Sequence, residues 1–445
     1  MPDIAALTIR PEEAGSYIIF TDGANFYAKN GITGRIDFQG TDAASVIQAA
    51  IDALTKGGTI YLKEGLYPIS KTINITNNGV RIVGAGAPPF QEPLETGTVP
   101  VHGTVLYPTP DFALGNYIFS SVDTVHGRSG VEIRNLMIYG KDPTGTTRAN
   151  AVYALNNYHL TIENVDVMCA YSDAIDLMPY GAGGDSNNVI NCVLMDVGGV
   201  AVRDWVYESK VIGVEVLSAK WGIDANNSVM VIGCAVVTAF QHAFLIRNSC
   251  ALVGSQIFGY SGYNNVFISG RYITVVGNFL TNAGEAGTGG ANAASIQLGA
   301  AQDVVIAGNV VLTNNNKTSY FLYQATSGLP SGAILVTGNK FIGTPTSGLY
   351  YDASPGSMVM IDNQGLNPLP ASTVSVGANA TTTIGPYPYP VQVILSAPSG
   401  ATGVSLNRRG TSTPLPIQSS YILYPGDTLS VTEGATAQTA YIVPL

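Results

Sequence analysis

Charged side chains are scarce in this chain of 445 residues, making up 11% of it against 46% hydrophobic residues. That scarcity excludes intrinsic disorder, which needs high net charge and few apolar groups. It also disfavours helical globular folds, which draw more heavily on Glu, Lys, Arg and Leu. Basic residues are outnumbered by acidic ones, 20 to 30, and the formal net charge of −10 argues against a nucleic-acid partner. A polyanionic sugar remains open, because local Arg and Lys can override the global sign. No apolar run approaches the ~20 residues that a membrane-spanning helix needs, so no membrane partner is expected. Met1 to Gly15 has neither a basic n-region nor an apolar h-region, so no signal peptide is expected in this chain. An extracellular or virion-associated location then implies a leader already removed or another route of exit. Cysteine is limited to Cys169, Cys192, Cys234 and Cys250, with no CxxC pair, which makes zinc binding improbable and reads as buried thiols.

What the chain does have is glycine, 51 of them, recurrent Asn, and a repeat. The runs Arg134-Asn135-Leu136, Glu163-Asn164-Val165, Asn191-Cys192-Val193, Gly213-Val214-Glu215, Gly233-Cys234-Ala235, Gly254-Ser255-Gln256, Gly277-Asn278-Phe279, Gly308-Asn309-Val310, Gly338-Asn339-Lys340 and Asp362-Asn363-Gln364 align, with successive spacings of 20 to 31 residues. Most follow a Val/Ile/Leu-rich strand. Ten turns at this period mean a solenoid, in which no coil is stable until its neighbours bury its inward residues. A sharp bend between strands suits Asn in the left-handed region, and stacked Asn side chains can bond along the column. The middle residues are therefore expected to form one such column. The short hydrophobic period never shifts to 3.6, which disfavours helical repeats. The fold class expected is all-β: a right-handed parallel β-helix, with coils over about 59–365.

Ahead of the coils, Thr41 or Asp42 can cap an amphipathic helix over about 41–54, with Val46, Ala50, Ile51 and Leu54 on its apolar face. Gly57-Gly58 stops it and Thr59-Ile60-Tyr61-Leu62 starts a strand. Such a helix would cover the open end of the solenoid. The stretch Gly40-Thr41-Asp42-Ala43-Ala44, Ile47-Gln48-Ala49-Ala50-Ile51, Gly57-Gly58-Thr59-Ile60-Tyr61-Leu62, Gly65-Leu66-Tyr67 and Asn78-Gly79-Val80-Arg81-Ile82-Val83-Gly84-Ala85-Gly86 is similar to the opening of the pectate-lyase-like superfamily. The resemblance implies the parallel β-helix. It admits lyases, hydrolases, epimerases and viral tailspikes alike, so chemistry has to be argued from the site.

The period stops near Gly365. Asn367-Pro368-Leu369-Pro370 and Pro386-Tyr387-Pro388-Tyr389-Pro390 punctuate the rest of the chain, which carries short strands such as Val391-Gln392-Val393-Ile394-Leu395. Residues 366–445 thus read as a small antiparallel β-module, separate from a β-helix domain of 1–365. It would cap the helix, bind carbohydrate, or self-associate, giving a homotrimer.

Function on a β-helix belongs on an outer face or beneath long loops, such as Asp142 to Arg148 and Gly284 to Gly290. Aligning Val152-Tyr153-Ala154, Ile175-Asp176-Leu177, Val200-Ala201-Val202, Ile223-Asp224-Ala225, Phe244-Leu245-Ile246 and Val266-Phe267-Ile268 turns the middle residues outward. Asp176 and Asp224 then share a column two coils apart, about 9.6 Å, at the upper edge of the carboxyl separation of inverting glycosidases. Arg203 and Arg247 fall one outward step further along, beside Met178 and Asn226. Asp204 is a third candidate carboxylate. Lys220, His242 and the only two tryptophans, Trp205 and Trp221, complete a polysaccharide-binding group, flat rings suiting the apolar face of a sugar. Two mechanisms fit: glycoside hydrolysis by an aspartate pair, needing no metal or cofactor, or β-elimination from a uronate, with Arg203, Arg247 or Lys220 as base and the aspartates holding Ca²⁺. The resemblance permits both, but the polygalacturonase pattern of Asn-Thr-Asp, paired Asp-Asp and Gly-His-Gly is incomplete. Ser172-Asp173-Ala174-Ile175-Asp176 echoes part of it. A non-catalytic tailspike, fibre or adhesin is the rival from another class. Asp173 and Asp185 read as turn residues, His102, His126 and His159 receive no role, and Gly181-Ala182-Gly183-Gly184 lacks the setting of a phosphate loop.

Overall fold

A computed structural model describes residues 15–88, 99–100, 102–181, 183–284, 293–314, 317–330, 333–365, 372–408 and 410–444. Ala182, most of the loop after Gly284 and the Asn367–Pro370 punctuation lie outside the described residues. Two compact units are distinguished, residues 1–244 and 245–445. Among the described residues, no helix is long and apolar enough to cross a membrane.

The first unit is a right-handed parallel β-helix. Its coils pair in parallel register, as Thr161–Met168 does with Asn188–Ile190 and Val193–Met195. Alternation sends every second side chain inward. Ile133, Ile162, Val189, Val211 and Val231 stack in one fully buried column. Each contributes about 1.5–3 kcal/mol by leaving water. The helix forms over Ala43–Ala53, where Asp42 caps it by accepting a hydrogen bond from Ser45 N at 3.1 Å. It buries Ala43, Ala44, Val46, Ile47, Ala50 and Ile51. Three strands ahead of it escape the sequence reading. Tyr17–Thr21, Phe26–Asn30 and Ile36–Gly40 form an antiparallel meander, and the first joins the coils by pairing in parallel with Gly58–Leu62.

The turn column differs from expectation in a specific way. Pairing aligns Asn135, Asn164 and Asn191 with Gly213 and Gly233, so that the last three precede the expected column by one residue. These residues have φ of 50° to 61°, the left-handed region that Gly and Asn tolerate. The residues after them, Leu136, Val165, Cys192, Val214 and Cys234, are fully buried. One expected column is therefore two adjacent ones, an exposed left-handed turn and a buried interior position.

The second unit has coils with its own pair of such columns. Gly277, Gly308, Gly338 and Asp362 take φ of 53° to 68°, followed by Asn278, Asn309, Asn339 and Asn363 inside. Here the stacked ladder exists. Asn278 Nδ2 donates to Asn309 Oδ1, Asn309 Nδ2 to Asn339 Oδ1, and Asn339 Nδ2 to Asn363 Oδ1, at 2.9, 2.9 and 2.8 Å. Cys192, Cys234 and Cys250 are buried and Cys169 half-buried. After the coils, Ser372–Val376, Gln438–Pro444, Val391–Leu395 and Ser420–Leu423 make one antiparallel sheet. Thr381–Ile384, Thr428–Glu433, Ala401–Arg408 and Thr411–Leu415 make another.

Candidate functional site

Strand pairing in the first unit runs Ser120 to Tyr153, Tyr153 to Asp176, Asp176 to Arg203, and Arg203 to Asp224. Those five side chains form one outward column on successive coils. Arg203, expected beside the aspartates, stands in their column between them. The cause is an irregularity in Val197–Asp204, whose register to Ala219–Ala225 shifts between Val197 and Val200. The triplet facing Ile175-Asp176-Leu177 is thereby Val202-Arg203-Asp204, not Val200-Ala201-Val202. Gly198 and Gly199 permit it: an added Cβ would lie 2.1 Å from Tyr171 O at the first and 2.6 Å from Asp173 Oδ1 at the second.

Alternation along the strand turns Asp204 inward, in register with Leu177 and Ala225. It is fully buried, it accepts from Val206 N at 3.2 Å, and burial pushes its pKa up to about 8. A carboxyl closed inside the coil cannot meet a polymer on the outer face, so the catalytic role expected of Asp204 is corrected to a structural one.

Around Asp176 a network closes. Tyr117 Oη donates to Asp176 Oδ2 at 3.0 Å, and Arg203 Nη1 donates to the same oxygen at 3.2 Å. Arg203 Nη1 also reaches Asp173 Oδ2 at 2.8 Å, while Asp173 Oδ1 accepts from Val200 N at 2.8 Å. Asp173, read as a turn residue, is thus both a turn clamp and an ion-pair partner. Asp176 Oδ1 is buried and has no hydrogen-bond partner among the described residues. Burial raises the pKa of Asp176 most, and the Asp173 charge adds to this, outweighing the guanidinium of Arg203 and the Tyr117 hydrogen bond. Burial draws the Arg203 pKa down, but Asp176 and Asp173 together outweigh it, so the guanidinium holds its proton more tightly than usual. Tyr117 packs against Tyr153 with ring centroids 5.2 Å apart. Sequence reasoning missed Tyr117; it lies 59 residues from Asp176, and no local pattern announces such a contact.

Asp224 is 1% exposed. Both tryptophan rings carry a cation of their own chain: Arg203 Cζ sits 5.8 Å from the Trp205 centroid and Lys220 Nζ 5.9 Å from that of Trp221. Trp221 Nε1 also donates to Gln241 Oε1. Lys220 is exposed and His242 half-buried, its carbonyl accepting from Gly222 N at 3.0 Å. Arg247 belongs to the second unit, where it is half-buried.

The cluster does not fit Ca²⁺. Both oxygens of Asp173 and Oδ2 of Asp176 already accept hydrogen bonds, two of these three from a guanidinium that would repel a second cation. What the arrangement can do is favour protonation of one carboxyl more than an exposed aspartate would, with one oxygen occupied and the other open to a new partner.

These features define a right-handed parallel β-helix with a carboxylate-rich lateral face. Similar solved structures include the tailspike protein of E. coli bacteriophage HK620 in complex with pentasaccharide, at 11% identity over 98% of each chain and a TM-score of 0.54. The A-module of mannuronan C-5 epimerase AlgE6 from Azotobacter vinelandii is 17% identical over 73% of this chain and 95% of its own, with a TM-score of 0.48. At these identities the likeness is one of fold. No family model and no curated protein sequence matches the chain.

Proposed function

We propose that the first unit binds an extracellular polysaccharide along the column from Tyr153 to Asp224 and hydrolyses its glycosidic bonds. Asp176 is the general acid, and Asp224 is the carboxylate that activates water. The observation that carries this reading is the asymmetry of Asp176. Its Oδ2 is held by Tyr117 and Arg203, which leaves the unpartnered Oδ1 as the oxygen to carry and deliver a proton, and burial shifts its pKa upward, the direction a general acid needs. Asp224 lies two strand spacings away, about 9.6 Å, at the upper edge of the range for an inverting pair. Both carboxyls are buried at rest, so the polymer reaches them as side chains of the lateral face give way. Arg203, holding its proton tightly, positions Asp176 and is a poor base, which favours hydrolysis over β-elimination. Trp205, Trp221, Lys220 and His242 are the substrate contacts. The pentasaccharide complex of the similar tailspike supports a carbohydrate ligand.

The test is a panel of polysaccharides. New reducing ends without ultraviolet-absorbing unsaturated products are expected, and unsaturated products would reassign the reaction to β-elimination. Asp176→Asn and Asp224→Asn should each slow cleavage by about 10²–10⁴ while leaving the melting temperature unchanged. Full activity in either variant overturns the assignment. Binding without any new ends would make the chain a non-catalytic, carbohydrate-binding fibre or adhesin.

Self-association through the C-terminal module is a second proposal, favoured by the exposure of Ile422, Tyr424 and Tyr441 there, at 52%, 56% and 46%. Light scattering should give a mass three times the 46.4 kDa of one chain. A monomer mass would remove the proposal.

A further inference from the structure

A second polar cleft of the first unit, of about 480 Å³, lies where the coils begin. It is bordered by Lys56, Thr76, Asn78, Asp123, His126 and Arg128, and no aliphatic side chain lines it. Two cations and a histidine face a single carboxylate, in a chain whose net charge is strongly negative. That carboxylate is consumed locally: Asp123 Oδ1 accepts from Val125 N at 2.9 Å and His126 N at 3.0 Å, and these bonds hold its pKa down. Arg128 is 9% exposed, with the nearest Asp123 oxygen 3.8 Å from its Nη2. It donates to the carbonyls of Thr76 and Val122, but its buried Nε has no partner among the described residues. Burial lowers its pKa more than Asp123 raises it, the mark of a cation short of counter-charge. The exposed ammonium of Lys56 makes no hydrogen bond or ion pair within the described residues.

We infer that this cleft is an oxyanion subsite, taking the carboxylate of an acidic sugar between Lys56 and Arg128. A carboxylate there meets fork-shaped and point-like donors together, with hydroxyl and amide groups of Thr76 and Asn78 for the rest of the sugar. Its position extends the proposed function. Asn74, Ser120, Tyr153 and Asp176 occupy successive places of one outward column, so the residues just past Asn74 lie about three strand spacings, roughly 14 Å, from Asp176. A polymer lying along the column would present one acidic group here and its scissile bond further on. Binding at the cleft itself does not depend on cleavage.

The experiment follows the rate at which Lys56 of the full chain is acetylated by a limiting amine-reactive reagent, read by peptide mass spectrometry. Glucuronate, inorganic phosphate, glucose and sodium chloride are compared at matched ionic strength. Glucuronate is expected to slow Lys56 labelling at least threefold, glucose and chloride not at all, and other lysines to be unaffected. Arg128→Lys should reduce that protection, because it keeps the charge but loses the fork; it also gives up the bonds to the Thr76 and Val122 carbonyls, so its labelling is compared below its own melting transition. Protection by phosphate alone would assign the cleft to a free anion and overturn the sugar carboxylate. Equal labelling in every arm overturns the subsite altogether. Cleavage assays on the same samples report on Asp176 and Asp224 separately.

Discussion

Asp176 and Asp204 are both buried carboxyls with raised pKa values, yet they differ in what surrounds them. Asp176 has Tyr117 and Arg203 on one oxygen, and its ionisation responds to each. Tyr117→Phe deletes a bond that favours the charged form, so the Asp176 pKa should rise further and the alkaline limb of the pH–rate profile should move up by about half to one unit. An unchanged or lowered limb would separate Tyr117 from the reaction. Asp204 faces the core, with a folded pKa of about 8 against about 3.9 in an unfolded chain. The folded state therefore binds more protons across that window, and stability should fall as pH rises from about 4 to 8. At about 1.4 kcal/mol per unit the loss amounts to a few kcal/mol. Asp204→Asn should flatten this dependence, measured by melting from pH 5 to pH 9, and should leave the variant more stable than the parent at pH 9. Strand alternation separates the two aspartates: Asp176 sits between inward Ile175 and Leu177, whereas Asp204 is itself two residues from inward Val202 and so faces the core.

At the level of the element, the strand-and-turn repeat was legible because backbone sterics leave few residue types for a left-handed bend. Gly and Asn announce it wherever it falls. The misreading of Asn135 and Asn164 shows the limit. Asn is used twice, in the exposed column for backbone tolerance with one solvent-exposed bond from Asn164 Nδ2 to Asn135 Oδ1 at 3.1 Å, and in the buried column for side-chain bonding, and identity alone does not say which. The two uses predict different costs. Asn309→Ala removes the acceptor of Asn278 N and Nδ2 and the donor to Val275 O and Asn339 Oδ1, so it should cost about 2–4 kcal/mol. Asn164→Gly should stay within about 0.5 kcal/mol, since its φ of 51° suits Gly and its side chain is exposed. Denaturant titration distinguishes the two. The capping helix was legible from its Asp42 cap and apolar spacing, whereas the preceding meander was hidden. Its strands are five residues each; two of them bury only two side chains apiece and the third none.

Across the whole molecule, the period of the turns carried the fold, and the lateral face was legible only as far as register could be kept. Counting strands forward from Asp176 fails at Val197–Asp204, where the chain spends extra residues on a bend. Beyond that point the count sets Arg203 one step aside from the column it joins. Regular coils, by contrast, are interchangeable. Ile212 pairs with Ile232, and the next residues, Gly213 and Gly233, share the turn conformation. Excising residues 213–232 should thus join Ile212 to Gly233 in register. We expect a folded chain by circular dichroism with unchanged strand content per residue, and no cleavage, since Asp224 goes with the excised coil. Loss of cooperative folding would show that the coils are not equivalent.

The Gly198-Gly199 irregularity then acquires a significance for how such a face can change over generations. Duplicating or losing a whole coil copies each side chain onto a column of its own kind, so it lengthens or shortens the molecule without altering what any column is made of. An extra residue taken up in a bend does the opposite: it leaves the number of coils alone and changes which residues beyond it meet the neighbouring coils. At Val197–Asp204 it leaves Arg203 between two carboxylates, at a place where two residues without side chains let the backbone pass.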